Sequence, residues 1–250
     1  MDRLQTLYEE KVVLKAIFKE AIKRNLISQN PWDDVVVRKP KREEILEKHK
    51  PLTEPECKAL IAMAAAIDQK KNQPPALADI ITFAVNTGLR EDEICKLEWT
   101  DVNFKDRLIH VRKKTVVESR MKSDGQAETF QYEWKPKATQ GDVPMNETVK
   151  AILQRLHNVK KSNFIFAQPD GGSCRLRLLR LTQQAAKLAG IKRIRFHDLR
   201  HTYGTLLREK GVPLETIMVL MRHADMRETL LYAKPSNHAA QEAVKRLEVA

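Results

Sequence analysis

Apolar residues recur at helical spacing along most of this chain, and the period switches only in one central block. That switch limits the fold more than any other feature. Side chains at i, i+3, i+4 and i+7 line one face of a helix, whereas alternation lines one face of a strand. Residues 5–26 read as one helix with Leu14, Ile17, Phe18 and Ala21 on its stripe, ending before the breaker pair Asn30-Pro31. Thr53 and Glu56 form a capping box for a second helix, with Leu60, Ile61, Ala64 and Ile67 as its buried stripe and a break over 72–75. Residues 76–86 form a third helix closed by Thr87-Gly88, and Arg90 to Leu97 a short fourth. Then LEWTDVNFKDRLIHVR (97–112) reads as strand, turn, strand, and Phe130, Tyr132 and Trp134 alternate within the polar stretch 113–142. Helical spacing resumes after Asn146, which caps a helix lined by Val149, Ile152, Leu153 and Leu156. Phe164-Ile165-Phe166 is a short buried strand or bend. Ser173 is placed to cap a helix to Ala189, and two more cover about 198–210 and 213–221, before a last capping box of Asp225 and Glu228. The expected fold class is α+β, mostly α, with a small antiparallel β-sheet in the middle of the chain.

Charge narrows the partner. Among 250 residues there are 45 Lys plus Arg against 33 Asp plus Glu, a formal net charge of +12. Such a balance points to a polyanion as the partner class. No run of 18 apolar residues exists, and the start MDRLQTLYEEKVV has no signal-peptide core, so no membrane association is expected. Cys57, Cys95 and Cys174 lie far apart, which fits a reducing, cytoplasmic setting without a disulfide framework. Residues 1–37 are too short to hold a core alone, and 38–50 (RKPKREEILEKHK) read as a basic linker.

Four stretches carry the candidate chemistry: TGLREDE (87–93), WKPKATQGDVP (134–144), RFHDLRHTYGT (195–205) and RHADMRETLLY (222–232). The first places Arg90 after a glycine turn at a helix start. The third puts His197, Arg200 and His201 on one side of a helix N-terminus, by their i, i+3, i+4 spacing. Two histidines at i, i+4 can bind zinc, but Asp198 stands where such a site has its general base and Arg200 sets a fixed positive charge between the ligands. A phosphate site suits the set better, because arginine is a planar fork matched to phosphate oxygens and a helix start adds N–H donors. No metal site is expected.

Together these stretches resemble the tyrosine recombinases, or phage-integrase family. TGLREDE is similar to that family's first arginine motif, HDLRHTYGT to its H-x-x-R box, and His223 followed nine residues later by Tyr232 to its second histidine and nucleophile. The resemblance implies a catalytic domain over 51–235, preceded by a partial core-binding helical segment over 1–37 and followed by a tail, 236–250, that docks on a neighbouring subunit or is simply solvated. It implies site-specific cleavage and rejoining of DNA through a 3′-phosphotyrosyl intermediate on double-stranded recombination sites, by a homo-tetramer, with no cofactor. Type IB topoisomerase-like relaxation and a non-catalytic DNA-binding relative are the alternatives.

Roles follow from the resemblance residue by residue. Tyr232 attacks the phosphate, Arg90 and Arg200 hold its non-bridging oxygens, His223 donates to one of them, and His197 partners the tyrosine proton. Glu93 supports the site's hydrogen bonds. Lys137 protonates the leaving 5′-oxygen, chosen by its distance from Val143-Pro144, with Lys135 the rival and Lys113 and Lys122 weaker candidates. Arg175, Arg177, Arg180, Lys192, Arg193 and Arg195 are the expected DNA-backbone contacts. Two positions depart from the family pattern: Asp142 stands where arginine is common, and Arg222 stands before His223 where glycine is usual.

Overall fold

The structure is a computed structural model that describes residues 3–39, 51–71, 76–121, 127–136, 139–168, 174–192, 194–225 and 229. The chain divides into two compact units, Met1–Lys50 and Pro51–Ala250. In the first, helix α1 (Arg3–Lys23) is followed by a turn in which the Trp32 N–H donates to the Asn30 side chain at 3.0 Å. The expected stripe on α1 is not a buried one: Leu14, Phe18 and Ala21 are half-buried and Ile17 is exposed.

The second unit is built around a central helix. Its helices are α2 (Glu54–Lys71), α3 (Leu77–Thr87), α4 (Glu91–Cys95), α5 (Glu147–Asn158), α6 (Arg175–Leu188), α7 (Phe196–Glu209) and α8 (Leu214–Met221). Helix α3 packs against α2, α5, α6 and α7, because Leu77, Ile80, Ile81, Phe83, Ala84 and Val85 bury apolar groups around most of its circumference. Its own N-cap, Ala76, has no side chain to offer. Asp68 on α2 fills that role, accepting from the Leu77 and Ala78 N–H groups at 2.8 and 2.9 Å. The Thr53–Glu56 capping box forms as expected, with the Thr53 N–H donating to Glu56 Oε2 at 2.8 Å. Asn146 caps α5 by accepting from the Val149 N–H at 2.9 Å.

Among the described residues the central β block holds two small antiparallel sheets. Strands β1 (Val102–Asn103), β2 (Leu108–Val111) and β5 (Gly141–Pro144) form one in the order β1-β2-β5, and β3 (Lys114–Met121) pairs with β4 (Ala127–Trp134) in the other; both are antiparallel. Charge pairs hold the β3–β4 hairpin to the helical body. Lys96 bonds Glu118, Lys114 bonds Asp101, and Trp134 Nε1 donates to Asp92 Oδ2 at 2.6 Å. Helix α6 starts at Arg175 after Cys174, and Ser173, expected to cap it, lies outside the described residues. Helix α7 begins at Phe196, two positions early, because Asp198 works as the third helical residue and accepts from the Arg195 N–H at 2.7 Å.

All three cysteines are buried free thiols, and folding brings the Cys95 and Cys174 sulfurs to 3.0 Å. Among the described residues no helix is long and apolar enough to cross a membrane. The proposed linker from residue 40 on, the Asn72–Pro75 break, Lys122, Glu228 and the tail lie outside the described residues.

Candidate active site

Three chain reversals converge on one pocket. The first is the end of α3, where Gly88 adopts φ 63° and its N–H closes the helix onto Ala84 O at 2.9 Å. Only glycine fits there: a Cβ would meet the Tyr203 ring at 2.3 Å. The chain then presents Arg90 as the N-cap of α4, its N–H donating to Glu93 Oε2 at 2.8 Å. Glu93 is 1% exposed, so this carboxylate belongs to the frame of the pocket and not to its surface.

The second reversal is the start of α7. Phe196 and Leu199 anchor the helix in the core, which turns His197 and Arg200 with His201 to the pocket side. Arg200 is buried; its Nη1 donates to Gly88 O at 2.7 Å and its Nη2 to Met221 O. One guanidinium therefore fastens the first and third reversals to α7. The third is the end of α8, where the His223 N–H reaches back to Met218 O at 3.1 Å and Arg222 takes the left-handed position at φ 53°. This is a Schellman-type ending whose left-handed residue is usually glycine. His223 is buried, and its Nδ1 lies 2.8 Å from Thr229 Oγ1.

The electrostatics show how closely these groups meet. Burial lowers the His223 pKa to about 4, reinforced by the charges of Arg200 and Arg90 and then of His201 and His197. His197 is also lowered to about 4, by desolvation first and then by His201, Arg200, Arg90 and Arg195. The His197 side chain is exposed, so solvent moderates both effects. Its ring lies edge-on to that of His201, centroids 4.9 Å apart. Arg90 Nη1 is 3.7 Å from Glu93 Oε1, and Arg222 Nη2 donates to Glu93 Oε2 at 2.5 Å. Two arginines and two neutral imidazoles thus face one another, a set that suits a tetrahedral oxyanion.

The structure brings together Arg90, Glu93, His197, Arg200 and His223. Lys137 and Tyr232 lie outside the described residues. The segment beside Lys137 is anchored at the pocket, since Thr139 Oγ1 donates to Arg222 O at 2.9 Å. Lys135 is exposed just past the end of β4, so the regular strand expected to carry it is absent at that point. Lys113 pairs with Glu133 at 2.8 Å. Asp142 faces His110 across the β2–β5 pair, its Oδ1 2.7 Å from Nδ1. Of the expected DNA contacts, Arg180 and Lys192 are exposed, and Arg195 is exposed and paired with Asp198 at 3.3 Å. Arg175 and Arg177 fall on the first turn of α6, and Arg193 lies outside the described residues.

Sequence reasoning missed Thr229 as the partner of His223 and Tyr203 as the ring that shapes the Gly88 turn. Burial raises the Tyr203 pKa to about 12, with Arg200 opposing the shift. Among the described residues no group of three or more His, Cys, Asp or Glu converges as metal ligands.

Comparison with known proteins places the chain in a family. The model of the phage integrase family matches residues 50–238. A "Tyrosine recombinase XerC-like" protein of Caldanaerobacter subterraneus subsp. tengcongensis is 26% identical, the match covering 86% of this chain and 58% of that protein. The integrase of Salmonella phage P22 is 27% identical over 67% of this chain and 41% of that protein. The chain thus spans less than two thirds of the length of these relatives. Among solved structures, the Tn1549 transposon integrase in complex with circular intermediate DNA superposes with a TM-score of 0.71 at 26% identity, covering 97% of this chain and 80% of that one. A lambda integrase dimer bound to a core site shares the fold, with a TM-score of 0.62 at 20% identity, covering 91% of this chain and 72% of that one.

Proposed function

The chain belongs to the phage integrase family, and from that premise we propose that it cuts and rejoins DNA strands at specific sites through a 3′-phosphotyrosyl intermediate. The observation that carries this reading is the meeting of Arg90, His197, Arg200 and His223 at three fastened chain reversals. In the proposed reaction the Tyr232 oxygen attacks the scissile phosphorus, and the bond to the 5′-oxygen breaks. Lys137 gives that oxygen its proton. A free tyrosine holds its proton until a pH of about 10. The cationic pocket and the neutral His197 ring ease its removal.

Arg90 and Arg200 offset the charge that builds on the non-bridging oxygens. Arg200 is well placed for this, because its two carbonyl contacts fix the fork before any phosphate arrives. His223 Nδ1 lies 2.8 Å from Thr229 Oγ1, which orients the ring, and in the proposed reaction the imidazole donates to a phosphate oxygen. Phosphotyrosine retains the phosphodiester energy, so a 5′-hydroxyl of a second strand can reverse the step and join a new partner.

Arg180, Lys192 and Arg195, with Arg175, Arg177 and Arg193, are the proposed backbone contacts, and each lost contact lowers the salt slope of binding by about 1. We further propose assembly of a homo-tetramer on two DNA sites, with residues 51–235 as the catalytic domain and 1–37 as part of a DNA clamp. The Tn1549 integrase and lambda integrase structures that resemble this chain contain DNA, which supports DNA as the partner class.

The test does not require a known site. The protein is incubated with fragmented genomic DNA from its own source, denatured in detergent, and the DNA left attached to protein is recovered and sequenced. Recovery of a recurrent site joined through its 3′ side is expected. No covalently attached DNA at any protein concentration would overturn the reading.

A further inference from the structure

His223 and Thr229 form a buried polar pair. His223 is 8% exposed and Thr229 1%, and Nδ1 of the ring lies 2.8 Å from Oγ1 of the threonine. A hydroxyl can give or take a hydrogen bond, and so can either nitrogen of a neutral imidazole, according to its tautomer. Which of the two groups holds the proton between them follows from their surroundings.

Threonines inside the helices of this chain send the hydroxyl proton back to a carbonyl four residues earlier. Thr82, Thr87 and Thr202 donate in this way to the carbonyls of Ala78, Phe83 and Asp198, at 2.7, 2.8 and 2.9 Å. Thr229 is helical too, yet among the described residues its hydroxyl has His223 Nδ1 as its one partner. Were Nδ1 the donor, the threonine proton would be buried with no acceptor among those residues, at the cost of an unsatisfied group. With the hydroxyl donating, one bond serves both groups: the proton is used, and Nδ1 is satisfied as an acceptor.

The ring is neutral, since burial, and then the charges of Arg200 and Arg90, lower its pKa to about 4. A neutral imidazole carries one N–H, and with Nδ1 accepting, that N–H is at Nε2. We propose that Thr229 is a positioning residue that fixes the tautomer of His223 with its proton on Nε2, which makes the ring edge away from Thr229 a hydrogen-bond donor. The use of that donor rests on the recombinase reading of the pocket. There a phosphate oxygen needs an N–H, and a lone pair on the same edge would repel it. Thr229 stands three residues before Tyr232, so the stretch of chain that leads to the proposed nucleophile also sets the proton of the histidine.

The tautomer is read in the free protein, without DNA. The whole chain is labelled with nitrogen-15 in its histidines, and the ring nitrogens are correlated by NMR with the carbon-bound ring protons at neutral pH. The spectrum of His223→Gln identifies the His223 signals. The parent should show a protonated Nε2 and an unprotonated Nδ1. Thr229→Val keeps the shape and removes the hydroxyl. The tautomer with its proton on Nδ1 should then rise about tenfold, the scale of one unsatisfied buried group, and the two nitrogen shifts should move toward each other. Thr229→Ser restores the hydroxyl and should restore the parental shifts. A threonine that only fills space predicts the reverse, with valine like the parent and serine unlike it. A parental ring protonated at Nδ1 overturns the proposal, and that reading needs no variant to fold. Valine and parental shifts that coincide overturn it as well. Absence of covalently attached DNA would overturn the recombinase reading and leave the measured tautomer as it is, so the two fail separately.

Discussion

Arg200 Nη1 donates to the carbonyl of Gly88 at 2.7 Å, joining the start of α7 to the end of α3 across 112 positions of sequence. The bond exists because Gly88 turns left-handed and aims that carbonyl at α7, and because the Tyr203 ring occupies the space a side chain would need. A candidate phosphate ligand is thereby oriented by the core and not by a surface loop.

Gly88→Ala is expected to be destabilising on two counts. The left-handed backbone costs about 1 kcal/mol for alanine. The new Cβ would sit 2.3 Å from Tyr203 Cδ1, and overpacking of this kind adds about 1–3 kcal/mol. Denaturant unfolding should show a total loss of about 2–4 kcal/mol. Gly88→Ala with Tyr203→Ala should relieve the clash but retain the backbone cost and open a cavity. A Gly88→Ala protein as stable as the parent would mean that the turn is not held as described.

Acid should weaken the fold through His223. Its folded pKa of about 4 lies below the ordinary value of 6.5, so the unfolded chain takes up the proton first as pH falls. The contribution is fully present above about pH 6.5 and is lost as pH falls through about 4, amounting at most to about 3 kcal/mol. His197 shifts in the same direction, with a smaller effect because its side chain keeps an exposed edge. The melting temperature of the parent should therefore fall more steeply between pH 6.5 and 4 than that of His223→Gln. Parallel curves would show that His223 is not held neutral by its surroundings.

What the sequence revealed, and what it hid, follows from the range of each interaction. Leu60, Ala64 and Ile67 on α2, or Val149, Ile152 and Leu153 on α5, announce their helices because burial repeats every three or four residues. The β3–β4 hairpin announces itself weakly, since its ties to the body are Lys96–Glu118 and Lys114–Asp101 pairs and a Trp134–Asp92 bond. No local period encodes those. The start of α7 was displaced by two residues because Arg195, its N-cap, offers no capping side chain, while the recognisable Asp198 acts from inside the helix. In the pocket, Arg90, His197, Arg200 and His223 stand in motifs of their own. Arg222 is intelligible only beside Glu93, 129 positions away.

The lysine can be separated from its neighbours chemically. Lys137→Ala should slow strand cleavage by about 10²–10⁴-fold, the range of general acid catalysis, whereas Lys135→Ala should act mainly on DNA affinity. A DNA whose 5′-bridging oxygen is replaced by sulfur has a leaving group that needs no proton. Cleavage of that DNA by the Lys137 variant should approach the parent's rate. Equal slowing on both substrates would assign the acid elsewhere.

Two tyrosines compete for the nucleophile, and the surroundings of one of them argue against it. The Tyr203 ring packs against the Gly88 turn, and burial holds its proton to about pH 12, so it is poorly prepared to attack phosphorus. Tyr232 stands nine residues beyond His223, at the spacing of the family's nucleophile. Tyr232→Phe keeps the ring and should change stability by less than about 1 kcal/mol unless its hydroxyl is bonded. DNA binding should persist, because Arg90, Arg200 and His223 remain, and the covalent protein–DNA adduct should disappear from a denaturing gel. Tyr203→Phe should still form adduct, since no step requires its hydroxyl. Adduct from Tyr232→Phe together with loss in Tyr203→Phe would exchange the two roles, and would require the Gly88 turn to open before chemistry.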